Sequence, residues 1–334
     1  MRLMARIGIV GGGAFGTAMA CVVRRSGHQA LLWAREPEVV AAINATGRND
    51  QFLSGVELAP GIHATGRLAE AADADLVLLA PPAQHMRAVA GELRPHLRPG
   101  IPVVSCSKGI ERGTLALMPQ VLAQVLPGVQ VGVLSGPSFA REIAIDLPCG
   151  VALAFDDLVL ARRISSAIGN PRFCVHPSDD LIGTALGGVM KNVVAIASGV
   201  AAGRKLGENA RATVVTLGLA EAVRLGLALG ARRETFDGFA GIGDMMLTAN
   251  SLQSRNTSLG IALAEGRSAQ DVLSTRLAVT EGAFSAGAVV ALASRLGVDM
   301  PISQAVDQVL NHGADLDAMI ARFLPRGTLT PPAA

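Results

Sequence analysis

Short apolar runs alternate with helical stretches through the first half of the chain, and long helical patterns fill the second. Arg6–Val10, Ala30–Trp33, Ala74–Ala80, Ile101–Ser105, Val131–Leu134, Gly150–Phe155 and Arg172–Val175 each read as a buried strand. Between the first two, Ala14–Arg25 reads as a helix closed by Ser26-Gly27. After Pro177 the pattern changes. From Gly183 onward no strand signal remains, only apolar helical periodicity broken by short Gly or Asn breaks. The predicted boundary falls near Ser178–Ile182, giving an α/β domain over 1–180 and an all-helical domain over 181–334. A length of 334 residues suits two domains. Pro325–Ala334 is rich in Pro and Thr and is expected to fray.

The helical half opens on its most informative stretch, Gly183–Ala202, an apolar run whose one charge is Lys191. Gly183, Gly187, Lys191 and Ala195 recur at i+4 and share a face. Three of the four are small, so other backbone or a ligand can approach that face closely. Lys191 is then either a buried catalytic ammonium or a stem reaching to water. The run is long enough to mimic a membrane span. Its Gly/Ala-rich composition and central Lys191-Asn192 argue instead for a helix buried between domains.

Gly11-Gly12-Gly13-Ala14-Phe15-Gly16 fits G-x-G-x-x-G and sits between predicted strand and predicted helix, with a second strand following. In that context the pattern signals a dinucleotide site. Gly11 permits the tight turn, Gly13 admits the pyrophosphate and Gly16 lets helix pack on strand. The helix N-terminus offers N–H groups to phosphate. After the second strand, Arg35 favours the 2′-phosphate of NADP, while the adjacent Glu36 leaves NAD open. NADPH is the expected preference.

Loops at the C-terminal ends of parallel strands line the ligand crevice. Lys108, in Ser107-Lys108-Gly109, falls on such a loop, with a solvated lysine as the alternative. Ser135–Glu142 forms another turn, able to offer N–H groups to an anion. Asp244 and Thr248 stand i, i+4 after Gly241-Ile242-Gly243; a plain helix-capping aspartate is the other reading. In Ser254-Arg255-Asn256 a guanidinium suited to phosphate is flanked by hydrogen-bonding side chains, unless it is simply solvated.

Composition narrows the class. Basic and acidic residues number 29 and 27, a balance that gives no support to nucleic acid or an anionic membrane as main partner. Cys21, Cys106, Cys149 and Cys174 lack metal-ligand spacing and read as reduced core residues of a cytosolic protein. The N-terminus runs almost directly into the glycine turn, unlike a secretory signal. The six histidines form no cluster, and no metal site is expected.

Taken in order, these motifs resemble the bacterial-type NAD(P)-dependent sn-glycerol-3-phosphate dehydrogenase family. The likeness runs through Gly11–Ala18, Leu32-Trp33, Ser107–Gly109, Ser135–Glu142, Leu186–Ala195, Asn209–Arg211, Gly241–Thr248, Ser254–Asn256, Glu281-Gly282 and Met300–Ile302. The resemblance implies reversible reduction of dihydroxyacetone phosphate to sn-glycerol 3-phosphate by NAD(P)H, feeding glycerophospholipid synthesis, in a cytoplasmic homodimer. It implies Lys191 as acid/base, with Lys108 and Asp244 beside it. Gly136, Ser138, Asn192, Thr248, Ser254, Arg255 and Asn256 would line the substrate. Ala14, Phe15, Arg35, Lys108, Ala140, Arg255, Val279 and Glu281 fall at cofactor positions. Burial, Lys108 and Arg255 are expected to lower the Lys191 pKa, and Asp244 to raise it. Three positions depart from the family pattern: Leu217 replaces a frequent arginine, Ser285 a threonine and Leu186 a polar residue. A related reductase of a small keto acid, and a non-catalytic NAD(P) sensor, are the rival readings. Arg255 with Lys108 favours a phosphorylated substrate over the keto acid.

Overall fold

The structure, a computed structural model, describes residues 5–274 and 281–323. Eight strands form one sheet: β1 Arg6–Val10, β2 Gln29–Trp33, β3 Ile62–Thr65, β4 Leu76–Leu79, β5 Pro102–Ser105, β6 Gln130–Ser135, β7 Cys149–Phe155 and β8 Phe173–Ser178. Their spatial order is β3-β2-β1-β4-β5-β6-β7-β8. The first six strands run parallel in the dinucleotide-binding order, and the order reverses between β1 and β4. β7 is antiparallel to β6, and β8 is parallel to β7. The ligand crevice therefore opens beyond the C-terminal ends of β1 and β4.

The sequence pattern finds seven of these strands and misses β3. Its four residues, Ile62-His63-Ala64-Thr65, carry no continuous apolar run, and His63 is exposed. The last strand extends through Pro177 to Ser178, three residues beyond the expected end. β8 closes one side of the sheet, where a proline's missing N–H leaves no ladder bond unmade. That position also corrects the reading of Cys174, which lies on β8 and is exposed, whereas Cys21 and Cys106 are buried.

Beyond β8 every described element is helical. The helix Leu181–Gly203 is the axis of this half. Asp180 caps it, accepting from the Gly183 N–H at 2.8 Å, from the Arg232 N–H at 2.9 Å and from the Thr235 hydroxyl at 2.6 Å. By length and composition this helix is long and apolar enough to cross a membrane, yet 78% of its most apolar window is buried within the protein. Helices Glu208–Ala228, Asp244–Asn250, Arg255–Ala264 and Glu281–Arg295 pack around it. Its Leu186, Val189, Met190 and Val193 share one core with Val133 of β6 and Ala154 of β7. The helical half is thus seated on the sheet, with Lys191 carried toward the strand ends.

Candidate active site

The dinucleotide turn is built by close backbone approach. Gly11 adopts φ +125°, a region open chiefly to glycine. A Cβ on Gly16 would lie 1.9 Å from the Gly11 carbonyl oxygen, so helix and turn meet backbone to backbone. At Gly13 a Cβ would meet nothing within 4 Å, which leaves open space in front of the first helical N–H groups. Gly13 is the N-cap of the helix Ala14–Arg25 and no side chain caps those groups. The half-buried Ala14 and Phe15 begin the helix. This is a cradle that fits a pyrophosphate. Arg35 is exposed on the loop after β2, next to the half-buried Glu36.

Glu281 closes the same crevice from the helical side. One carboxylate oxygen accepts from the Ala83 N–H at 3.2 Å, while the other is buried without a hydrogen-bond partner among the described residues. Burial pushes its carboxyl up, against the Ala83 hydrogen bond and the pull of Arg255 and Arg112. A buried acceptor left open beside a nucleotide cradle suits a ribose or amide donor of a bound dinucleotide. Ala140 begins the short helix Ala140–Ala144 after the Gly136–Phe139 turn. Val279 lies outside the described residues.

Three charges meet where the sheet faces the long helix. Lys108, just past β5, donates to the Gly136 carbonyl at 2.9 Å, to the Ser138 hydroxyl at 3.3 Å and to the Asp244 carboxylate. Lys191 places Nζ 2.9 Å from Asp244 Oδ1 and donates to Thr248 Oγ1 at 3.1 Å. Thr248 in turn donates to Asp244 Oδ1 at 3.3 Å, along the i, i+4 face its spacing predicts. Asp244 is fully buried, and the two lysine side chains are each 14% exposed. Asp244 is the first residue of its helix, and Gly243 occupies the N-cap position. The reading of Asp244 as a mere helix cap therefore fails.

Two glycines of the long helix make this meeting possible. A Cβ on Gly187 would lie 2.1 Å from the Ala240 carbonyl oxygen, in the π-helical turn Phe239–Gly243 that presents Asp244. A Cβ on Gly188 would lie 2.6 Å from Ser135 Oγ and 3.2 Å from Lys108 Cγ, so the Lys108 stem crosses the helix there.

Burial lowers the Lys191 pKa to about 8; Asp244 opposes the shift and Lys108 adds to it. Arg255, expected to act with Lys108, interacts electrostatically with Glu281. Burial raises the Asp244 pKa, but Lys108 and Lys191 together outweigh it and hold the carboxyl below its ordinary value. The trio is therefore a carboxylate clamped between two amines, one of which titrates near neutrality.

The remaining positions converge on the same side. Asn256 donates to Asn192 Oδ1 at 2.8 Å and accepts from the Gly282 N–H at 3.1 Å. This pair joins the long helix to the helices starting at Arg255 and Glu281. Arg255 is exposed as a residue, yet partial desolvation of its guanidinium holds the pKa below its ordinary value against the pull of Glu281. Ser254 is the N-cap, its hydroxyl oxygen accepting from the Thr257 N–H at 3.2 Å, which leaves the hydroxyl proton and one lone pair to offer a ligand. Two of the three departures lie deeper, and Leu217 is half-buried. Leu186 and Ser285 are buried, and Leu217 lines an apolar pocket with Ile196, Val214, Leu263 and Val306.

A dinucleotide cradle facing a lysine–carboxylate trio across a domain junction defines a two-domain Rossmann dehydrogenase. The N-terminal description of NAD-dependent glycerol-3-phosphate dehydrogenase matches residues 6–161, and its C-terminal description matches residues 180–321. The chain is 50% identical to a glycerol-3-phosphate dehydrogenase [NAD(P)+] of Caulobacter vibrioides, over 96% of this chain and 97% of that relative. It is 50% identical to the enzyme of the same name in Rhodospirillum rubrum, over 97% and 93% of the two chains. The crystal structure of glycerol-3-phosphate dehydrogenase from Coxiella burnetii superposes with a TM-score of 0.91 at 33% identity, covering 97% of this chain and 99% of that one. The chain belongs to the NAD-dependent glycerol-3-phosphate dehydrogenase family.

Proposed function

We propose that this chain reduces dihydroxyacetone phosphate to sn-glycerol 3-phosphate reversibly with NAD(P)H, using Lys191 as the acid in reduction and the base in oxidation. A nicotinamide dinucleotide bound in the Gly11–Gly16 cradle supplies or accepts the hydride at substrate C2. Reduction turns the carbonyl oxygen into an alkoxide, which takes a proton from Lys191 Nζ. Asp244 and Thr248 aim that ammonium. The observation that carries this reading is a lysine 14% exposed, against a buried carboxylate, with its pKa brought to about 8. Both protonation states are then populated near neutral pH, as a reversible acid/base requires.

Lys108, tied to Gly136 and Ser138, and Arg255, with its planar fork, supply positive charge for the substrate phosphate. Ser254, Asn192 and Asn256 complete that end. Arg35, exposed past β2, favours NADPH by meeting its 2′-phosphate. The working division is a cofactor domain over 1–180 and a catalytic domain over 181–334. The protein acts as a cytoplasmic homodimer, and its product enters glycerophospholipid synthesis.

Lys191→Met tests the mechanism by keeping the apolar stem and removing the ammonium. Loss of general acid catalysis alone predicts a kcat lower by at least about a hundredfold, with cofactor affinity unchanged. A folded Lys191→Met protein reducing dihydroxyacetone phosphate near the wild-type rate would refute it.

A further inference from the structure

Asn49 belongs to none of the motifs above. It lies in the connection between the helix Pro37–Thr46 and β3, and it is 1% exposed. Its amide nitrogen donates to the Gly12 carbonyl at 2.8 Å and to Thr17 Oγ1 at 2.8 Å. Thr17, fully buried, passes its own hydroxyl proton to the same carbonyl at 3.3 Å. The Gly12 oxygen, in the middle of the nucleotide turn, is thus held from two directions by side chains from outside it. The carbonyl side of the Asn49 amide accepts from the Phe52 N–H at 3.4 Å, and the Asn49 backbone carbonyl accepts from the Leu53 N–H at 2.7 Å. Asn49 is anchored by its own loop before it reaches the turn.

The consequence follows from peptide geometry. No peptide bond in the described chain is cis, and in a trans peptide the C=O and the following N–H point in opposite directions. A Gly12 oxygen pinned inward forces the Gly13 N–H outward. Gly13 itself borders open space, since a Cβ there would find nothing within 4 Å. Gly11-Gly12-Gly13 is the most pliable triplet a chain can have, and left alone its central peptide would turn freely.

We infer that Asn49 is a positioning residue for the dinucleotide: with Thr17 it locks the Gly12–Gly13 peptide so that the Gly13 N–H meets the pyrophosphate. The inference rests on the dinucleotide reading and adds a residue from a segment no glycine motif includes. The chemistry recognised is a diphosphate diester, so its effect falls on any ligand carrying that group, with or without a nicotinamide.

The probe is ADP-ribose, which has the pyrophosphate and no hydride chemistry, titrated calorimetrically into the full chain. Asn49→Ala should raise its Kd at least severalfold, while KM for dihydroxyacetone phosphate at saturating cofactor and kcat stay within twofold. Asn49→Asp should bind worst at alkaline pH, because a carboxylate opposes the Gly12 carbonyl with no proton to give. Its affinity should recover as the pH falls and protonation restores a donor, whereas wild-type affinity stays flat. Packing alone would not produce that pH dependence. Thr17→Val, which leaves Asn49 in place, should give a smaller loss and serves if Asn49→Ala does not fold. Wild-type binding together with an unchanged Kd in the folded Asn49→Ala or Thr17→Val variant would overturn this inference alone. A wild-type protein that ignores ADP-ribose would overturn the dinucleotide reading and this inference with it.

Discussion

Replacing Asp244 by Asn removes one negative charge from between two lysines and changes almost nothing else in shape. Asp244 Oδ1 is 2.9 Å from Lys191 Nζ, in a site where the carboxylate is fully buried. At that separation and an effective dielectric of about 20, the attraction is roughly 6 kcal/mol. If only a quarter of it survives relaxation and water entry, about 1.4 kcal/mol remains, a tenfold change in the ratio of charged to neutral lysine. The sign is fixed by the surroundings. Burial and Lys108 already press the Lys191 pKa down to about 8, and Asp244 is what opposes them. Without it the pKa falls further. In wild type, kcat/KM for dihydroxyacetone phosphate should decline as pH rises through about 8, because reduction needs the ammonium. The value for glycerol 3-phosphate should rise through the same pH, because oxidation needs the free amine. In Asp244→Asn both limbs should move to lower pH by at least about one unit. The assay is initial-rate NAD(P)H oxidation and NAD(P)+ reduction across the neutral and alkaline range. Midpoints that stay in place or move upward in a folded variant would refute the argument that Asp244 holds the proton on Lys191.

Two further substitutions test the frame and the cofactor. Gly187→Ala should gain about 1 kcal/mol of helix propensity yet lose more, because the new Cβ would stand 2.1 Å from the Ala240 carbonyl oxygen. Overpacking against backbone predicts a net loss of roughly 1–3 kcal/mol in denaturant unfolding with a lower kcat; a variant as stable and as active as wild type contradicts the contact. Arg35→Asp should lower kcat/KM for NADPH roughly ten- to a hundredfold, the worth of a charged hydrogen bond, and leave NADH use nearly unchanged. Equal effects on both cofactors would mean that Arg35 points into solvent.

Much of this was legible from local pattern, and the exceptions have physical causes. β1 and the helix Ala14–Arg25 have the ends the pattern predicts, because a buried parallel strand running into a glycine turn leaves few alternatives. β3 escaped because four residues with His63 among them carry no periodicity. In the site, the shared face of Gly183, Gly187 and Lys191 was readable from i+4 spacing. Gly183 lies against Thr235, Gly187 against Ala240, and Lys191 reaches Asp244. Burial and Lys108 were both expected to lower the Lys191 pKa, but the contact of Lys108 with Asp244 was not readable. Lys108 and Arg255 are both cations of the same motif set, and only the three-dimensional crossing brings Lys108 to Asp244. Gly188 lies off the small face, and its use, clearing the Lys108 stem, depends on a strand end 80 residues earlier in the chain. Asn49 gave no signal, since an asparagine in a loop is ordinary until its amide is seen on the Gly12 carbonyl.

The glycines of the long helix and the charge at its centre form one causal unit. An ammonium stripped of water needs a counter-charge in contact, since breaking a buried pair costs about 3–5 kcal/mol. Asp244 can be that counter-charge only if the turn Phe239–Gly243 comes down onto the helix backbone. The turn can come down only where the helix has no side chain, at Gly187. The helix gives up about 1 kcal/mol of propensity per glycine there, a smaller loss than an unpaired Lys191 would bring. The same reasoning explains why the helix is apolar nearly all round. Sheet and helices cover most of it, and three of its polar side chains sit where a partner reaches them: Asn192 to Asn256, Ser198 to the Ala249 carbonyl, and Lys191 to Asp244. A segment that passes for a membrane span by composition is instead dry because the protein itself supplies the low dielectric that Lys191 titrates in.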